Sequence, residues 1–189
     1  MEKKQKISTR KIVFVALMAA LTVAGSALRV TMPIDIAGTT SFHLGNIMCA
    51  LSGILLGPWL GGLASALGSA IYDTTNPLYI SECWITFLTK GAYGLVAGLI
   101  AYSGRDKWNY TKALFATIAG AVTYAVLYLA KSYFYSGLLL KGLTPAAALA
   151  TVVAKLPATT FNAVVAIVFA PVLAVSIRKA LEHNHLTLE

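Results

Sequence analysis

The chain has 189 residues, of which 58% are hydrophobic and only 12% charged, and its mean hydropathy is +0.74. Soluble domains carry about 25% charged and roughly 45–50% apolar residues, so this composition argues against a soluble enzyme, a disordered regulator and a coiled coil. Fifteen Lys and Arg against seven Asp and Glu give a net charge of +8, but the cations stand at the edges of long apolar runs, the pattern of a multi-span membrane protein.

Residues 1–11 form a basic leader with Lys3, Lys4, Lys6, Arg10 and Lys11. The first apolar run, residues 12–28, is longer than a signal-peptide core and lacks a cleavage site before Arg29, so it reads as a retained span. Spans two and three cover about 44–56 and 59–72 and are joined by Gly57-Pro58. Both are shorter than the about 20 residues that cross a hydrocarbon core upright, so either their ends extend further or the outer loops dip into the membrane. Spans four, five and six follow at about 84–102, 110–135 and 146–177. The last is too long for a simple span and contains Pro157, which predicts a kink or a separate short outer helix. Residues 180–189 make a polar tail. The expected fold is therefore all-α: one polytopic membrane domain over residues 1–189 with six transmembrane helices.

An even number of spans puts both termini on one side. Lys3, Lys4, Lys6, Arg10, Lys11, Arg105, Lys107, Lys112, Arg178 and Lys179 lie on that side, and only Arg29 and Lys141 in the opposite loops. The asymmetry makes both termini cytoplasmic. The outer loops are then about 29–43, 73–83 and 136–145.

Small residues recur four apart in the first span at Ala16, Ala20 and Ala24. They suit either packing within the chain or a docking face for a separate membrane subunit. The third span repeats the pattern with Gly61, Ser65 and Ser69 on one row and Ala64 and Gly68 on the next, which predicts one smooth side of the molecule. Three lysines, Lys90, Lys131 and Lys155, fall inside spans four, five and six, all in the outer half of the bilayer. A charge there costs about 2.5–3.5 kcal/mol on insertion scales unless it meets a partner or water, so the three suggest a shared cavity open to the outside. Snorkelling to the interface is the competing explanation. Asp35, Asp73, Glu82, His43, Asn46, Asn76 and Asn162 supply polar groups near the same end. The aromatic residues there serve either as an interfacial belt or as the wall of a pocket for a small planar ligand. Tyr128 and Lys131 share one helix face and are the better candidates for lining.

No Gly-rich phosphate loop is present, so the chain is not expected to hydrolyse ATP itself. No His–Glu–x–x–His run, cysteine pairing or Gly-x-Ser-x-Gly elbow occurs, so no metal site, cofactor or catalytic group is expected. Cys49 and Cys83 sit at opposite depths and do not suit a disulfide.

At this point the pattern resembles the substrate-binding S components of energy-coupling factor (ECF) vitamin transporters. The resemblance runs from about residue 8 to 179. It rests on the basic start, Ala16-x-x-x-Ala20, six spans in under 200 residues, and the stretch SFHLGNIMCALSGILLGPWLGGLASALGSAIYD from Ser41 to Asp73 with its Leu56-Gly57-Pro58 turn. Thr89-Lys90-Gly91 with Gly94 and Gly98 adds to it. The resemblance implies a multi-pass protein of a prokaryotic cell membrane that binds a small water-soluble vitamin or precursor at its outer side. Asp35, Phe42 and His43 would belong to a lid loop. A transmembrane scaffold subunit, docking on Ala16, Ala20 and Ala24, and two ATPase subunits would supply the energy. Candidate ligand-facing residues are Lys90, Glu82, Trp84, Lys131, Tyr128, Lys155, Asn162, Asp73 and Asn76. Two or more unpaired inward lysines would favour an anion such as pantothenate. Neutralisation by Glu82 and Asp73 would make a pyridoxine-like or pyrimidine compound as good a fit, and the anion is slightly favoured. The alternatives are a stand-alone secondary transporter or channel, against which the lack of an internal repeat counts, and an intramembrane enzyme, against which the apolar inner halves of the spans count.

Overall fold

A computed structural model of the chain describes residues 8–34, 38–104 and 109–184. Helix α1 spans Thr9–Ala27, with the Ser8 hydroxyl accepting the Lys11 N–H as its N-cap. Two antiparallel strands follow, β1 at Arg29–Ile34 and β2 at Gly38–His43, paired from Arg29 with His43 to Ile34 with Gly38. Helix α2 is Gly45–Thr74 and α3 is Cys83–Ala101, after a 3-10 turn at Ile80–Glu82. Helix α4, Tyr110–Lys131, continues as a π-helical segment over Ser132–Leu140, and α5 runs from Pro145 to His183.

Among the described residues five helices are long and apolar enough to cross a membrane. One of them, α2, is folded on itself. Gly57 has φ +78° and ψ −178°, a conformation that side chains with a Cβ rarely adopt, and Pro58 cannot supply the helical N–H that would bridge the break. The two arms then lie side by side: Ser65 Oγ donates to the Cys49 carbonyl at 3.2 Å. In a straight helix these residues would be about 24 Å apart. Spans two and three of the sequence are thus the two arms of a helical hairpin.

That hairpin is the centre of the bundle, with 67% of its apolar window buried against 28% for α1, α4 and α5. The small-residue rows at Gly61, Ser65, Ser69, Ala64 and Gly68 are consumed inside it, all buried, and give no smooth outer side. The core is built largely of Ala, Gly and Ser, while Leu17, Trp59, Phe115 and Leu139 point outward. Backbones close together inside and bulky apolar groups outside are what a lipid-facing bundle requires. Gly98 shows how close: a Cβ on it would fall 2.5 Å from the Pro58 backbone.

Three other sequence expectations are corrected. The fold is not purely helical, because the connection between α1 and α2 holds the β-hairpin. Backbone groups leaving α1 would otherwise lack partners, and pairing β1 with β2 supplies them. No separate short helix forms at Pro157; all 39 residues of α5 are helical, which makes it about 58 Å long and too long for a core of about 30 Å. Half of the loop expected at 136–145 belongs to the π-helical segment, leaving Lys141–Thr144 between helices. The charge assignments at Lys3, Lys4, Lys6, Arg105 and Lys107 and the lid residue Asp35 lie outside the described residues. Much of the tail lies there as well, and its first residues belong to α5.

The packing of α2 on α3 is testable. Gly98→Val is expected to cost about 1–3 kcal/mol by overpacking and to lower the unfolding midpoint in detergent. Leu99→Val, on the half-exposed neighbour, should leave it nearly unchanged. Equal midpoints for Gly98→Val and wild type would mean that the backbones do not touch there.

Candidate functional site

A cavity of about 290 Å³ lies beneath the β-hairpin, at the small end of ligand pockets, which span about 300–1,000 Å³. Every major element contributes to its wall. Lys90, Glu82, Lys131, Tyr128, Lys155, Asn162 and Asp73, seven of the nine residues singled out in the sequence, line it. They meet because α3, α4 and α5 each turn a polar stripe toward the cavity: Thr86, Thr89 and Lys90 from α3, Tyr124, Tyr128 and Lys131 from α4, and Lys155, Thr159 and Asn162 from α5.

The other two lie elsewhere. Trp84 is half-exposed and edge-on to Tyr135 with ring centroids 5.6 Å apart. Asn76 shapes the loop after α2, accepting the Leu78 N–H at 3.0 Å and donating to the Tyr72 hydroxyl at 3.3 Å. Of the lid residues His43 lines the cavity, whereas Phe42 packs edge-on against Phe161 at 5.0 Å. Ala16, Ala20 and Ala24 are all exposed, and α1 packs inward through Met18, Ala19, Thr22, Gly25 and Ser26.

Sequence reasoning missed Tyr124 and Arg29 as lining residues. Tyr124 stands four before Tyr128, and that i, i+4 spacing was the available signal. The two rings are stacked 5.7 Å apart, and Tyr93 continues the stack at 6.0 Å. Arg29 counted only as a loop charge. Its guanidinium lies over the rings of Tyr72 and Tyr79.

The lining side chains include five cations, Arg29, Lys90, Lys131, Lys141 and Lys155, and two carboxylates, Asp73 and Glu82. Lys131 is ion-paired with Glu82, whose other oxygen accepts from Ser136 Oγ at 2.7 Å. Lys90 donates to Asn46 and sits 3.8 Å from the Tyr124 ring centroid. Lys155 donates to Ser132 Oγ at 3.2 Å and lies 5.4 Å from the Tyr128 centroid. Among the described residues, then, neither Lys90 nor Lys155 has a carboxylate ion pair, and neutral oxygens and ring faces hold both ammonium groups. No group of three His, Cys, Asp or Glu side chains that could hold a metal ion forms among the described residues.

The hairpin is pinned to two opposite walls. Asn162 on α5 donates to the Ser41 carbonyl at 2.8 Å and accepts the His43 N–H at 2.9 Å, serving β2 as a neighbouring strand would. On the other side Ser41 Oγ meets the Tyr79 hydroxyl at 2.9 Å. Asn162 therefore spends its carbonyl and one amide N–H on the cover.

Comparison with known proteins places these features in context. The family described as "ECF-type riboflavin transporter, S component" matches residues 6–179. An uncharacterised protein of Pyrococcus woesei is 30% identical over 118 residues, covering 62% of this chain and 74% of the relative. A UPF0397 protein of Streptococcus gordonii is 28% identical over 127 residues, with 62% of this chain and 64% of the relative covered. A UPF0397 protein of Streptococcus pneumoniae is 32% identical over 94 residues, with 50% and 49% covered. The matches span less than two thirds of these streptococcal relatives.

Two predictions follow from the pinned hairpin. Replacing Asn162 by Leu leaves the Ser41 carbonyl and the His43 N–H without their partner. Hydrogen exchange at the His43 amide should speed up by roughly tenfold or more, and unchanged exchange would mean that the bond does not hold the strand. Burial holds the His43 imidazole well below the usual histidine range, and the charges of Lys90 and Arg29 push the same way. The ring is therefore neutral at pH 7, with Nδ1 accepting the Gly45 N–H at 3.2 Å. Its contribution to stability is present above the unfolded value of about 6.5 and is lost as pH falls below that, because the unfolded chain takes up the proton first. Between pH 7 and 5 the wild type should lose thermal stability faster than His43→Gln; parallel profiles would refute this.

Proposed function

The chain belongs to the S-component family of ECF-type riboflavin transporters, and from that premise we propose that it captures a small, water-soluble vitamin or precursor at its outer face for import. S components of this family are substrate-binding parts of transporters rather than enzymes. The observation that carries the reading is the cavity under the hairpin, in which Lys90 and Lys155 are buried without a carboxylate ion pair among the described residues. Unneutralised ammonium groups in a water-poor pocket attract negative charge, so a small anionic solute, pantothenate being the representative, is the favoured class. The stacked Tyr124 and Tyr128 support a second reading, a planar ring system such as the riboflavin in the family's description.

In this reading the arms of α2 count as two crossings, which with α1, α3, α4 and α5 makes six, in a single membrane domain with both termini in the cytoplasm. The support is the fold-back at Gly57 and the excess of Lys and Arg on the side of the termini. The exposed row Ala16, Ala20 and Ala24 is the docking face for the transmembrane scaffold subunit, since small side chains facing outward leave room for another helix. Two ATPase subunits complete the importer.

Equilibrium binding of pantothenate, riboflavin and pyridoxine to the purified full chain tests the assignment. Pantothenate is expected to bind, and Lys90→Ala to weaken it roughly ten- to hundredfold, the worth of a hydrogen bond to a charged group. An unchanged pantothenate affinity in Lys90→Ala sinks the anionic class. Binding of riboflavin alone selects the second reading. Uptake into vesicles holding only this chain would restore the stand-alone transporter.

A further inference from the structure

We propose that Arg29 is the specificity-determining residue of the cover, the cation with which the hairpin recognises the carboxylate or phosphate of a bound solute. The inference rests on the substrate-binding reading above and adds to it a residue that belongs to the hairpin rather than to the helical walls. Arg29 is the first residue of β1 and lines the cavity. Its guanidinium lies 4.2 Å from the ring centroid of Tyr72 and 4.7 Å from that of Tyr79, and its Nε donates to the Ser26 carbonyl at 2.8 Å. Two ring faces and one hydrogen bond therefore fix the plane of the group before any ligand arrives.

Among the described residues no hydrogen bond engages the terminal amino groups of Arg29. Asp73 and Glu82 line the same cavity, yet neither forms an ion pair with it. A guanidinium that served only to anchor the hairpin would be met by one of those carboxylates. Instead its terminal N–H groups are left as a preorganised fork, the geometry that binds a carboxylate or phosphate through two parallel hydrogen bonds. Lys90 faces the same space from α3, so an anion seated there bridges the cover and the wall. A neutral solute of the same shape gains neither contact.

The test uses pairs that differ by one anionic group: pantothenate and panthenol, riboflavin 5′-phosphate and riboflavin, pyridoxine 5′-phosphate and pyridoxine. Binding of all six to the full-length wild type, Arg29→Gln and Arg29→Lys is measured by calorimetry. The expected result is a wild-type preference for the anionic member of at least one pair. Arg29→Gln should weaken that anion by about tenfold or more while its neutral partner changes little, and Arg29→Lys should fall between. The neutral partner also controls for folding, because a variant that merely loosens the hairpin weakens both members alike. Equal weakening, or a preference that survives in Arg29→Gln, overturns the inference and leaves the S-component reading intact. So does wild-type binding of neutral members as tightly as anionic ones. If none of the six binds, the vitamin-binding reading fails and this inference with it.

Discussion

The close approach of α2 to α3 is the constraint on which the rest of the molecule depends. Read back from its C-terminal end at Ala101, one face of α3 carries Gly98, Gly94 and Lys90, each four residues from the last. The two glycines admit the backbone of α2, at Pro58 for the first and at Gly62 for the second. The next position on that face opens on the cavity. Lys90 occupies it and reaches Asn46 on the first arm of α2. Glycine packing along α3 thus ends where the first buried charge appears.

Three lysines in an apolar bundle then have to be satisfied by different means. Among the described residues Lys131 alone of the three has a carboxylate partner, Glu82, and that pair is largely sealed from water. Lys90 and Lys155 rely on an amide oxygen, a hydroxyl and the faces of Tyr124 and Tyr128. Such partners stabilise an ammonium less than a full counter-charge does. Carboxylate partners in their place would neutralise both ammonium groups and weaken the cavity's attraction for an anion. The tyrosine stack carries its own cost: the Tyr93 hydroxyl is buried and without a hydrogen-bond partner among the described residues, an arrangement disfavoured by about 1–3 kcal/mol.

What could be read from the sequence followed from local chemistry. Apolar runs located the helices, Gly57-Pro58 located the fold-back, and intramembrane lysines pointed to the cavity, because each signal is carried by a few neighbouring residues. The rest depended on contacts between distant segments. Strand pairing of Arg29 with His43 has no marker in either residue. Asn162 lines the cavity, but its hold on β2, 119 residues away in sequence at His43, has no signal in the sequence. Trp84 had the right depth but stands on a face of α3 that does not line the cavity, since depth follows from position in the run and azimuth only from packing, and Asn76 falls in the loop beyond the end of α2. Arg29 was hidden for the opposite reason: as a loop cation it served the orientation argument fully, and only the rings of Tyr72 and Tyr79 distinguish it from Lys141, which is exposed.

Helix α1 joins the two surfaces that a transported solute and a partner subunit would use. Its outward face carries the exposed Ala16, Ala20 and Ala24, and β1 begins two residues after it ends. The joint is short and held: the Leu44 N–H donates to the Gly25 carbonyl at 3.1 Å, and the Arg29 Nε donates back to the Ser26 carbonyl. Both ends of the hairpin are therefore tied to α1, through Arg29 at the start of β1 and Leu44 just after β2, and β2 is also tied to α5 through Asn162 and to the loop before α3 through Tyr79. A displacement of α1 relative to α5 cannot leave all these attachments intact. Because the hairpin has only two strands, and isolated two-stranded sheets are marginal in water, it has little rigidity of its own with which to resist. The cover over the cavity is held by its surroundings, and the helix whose small side chains are free for a partner is one of them.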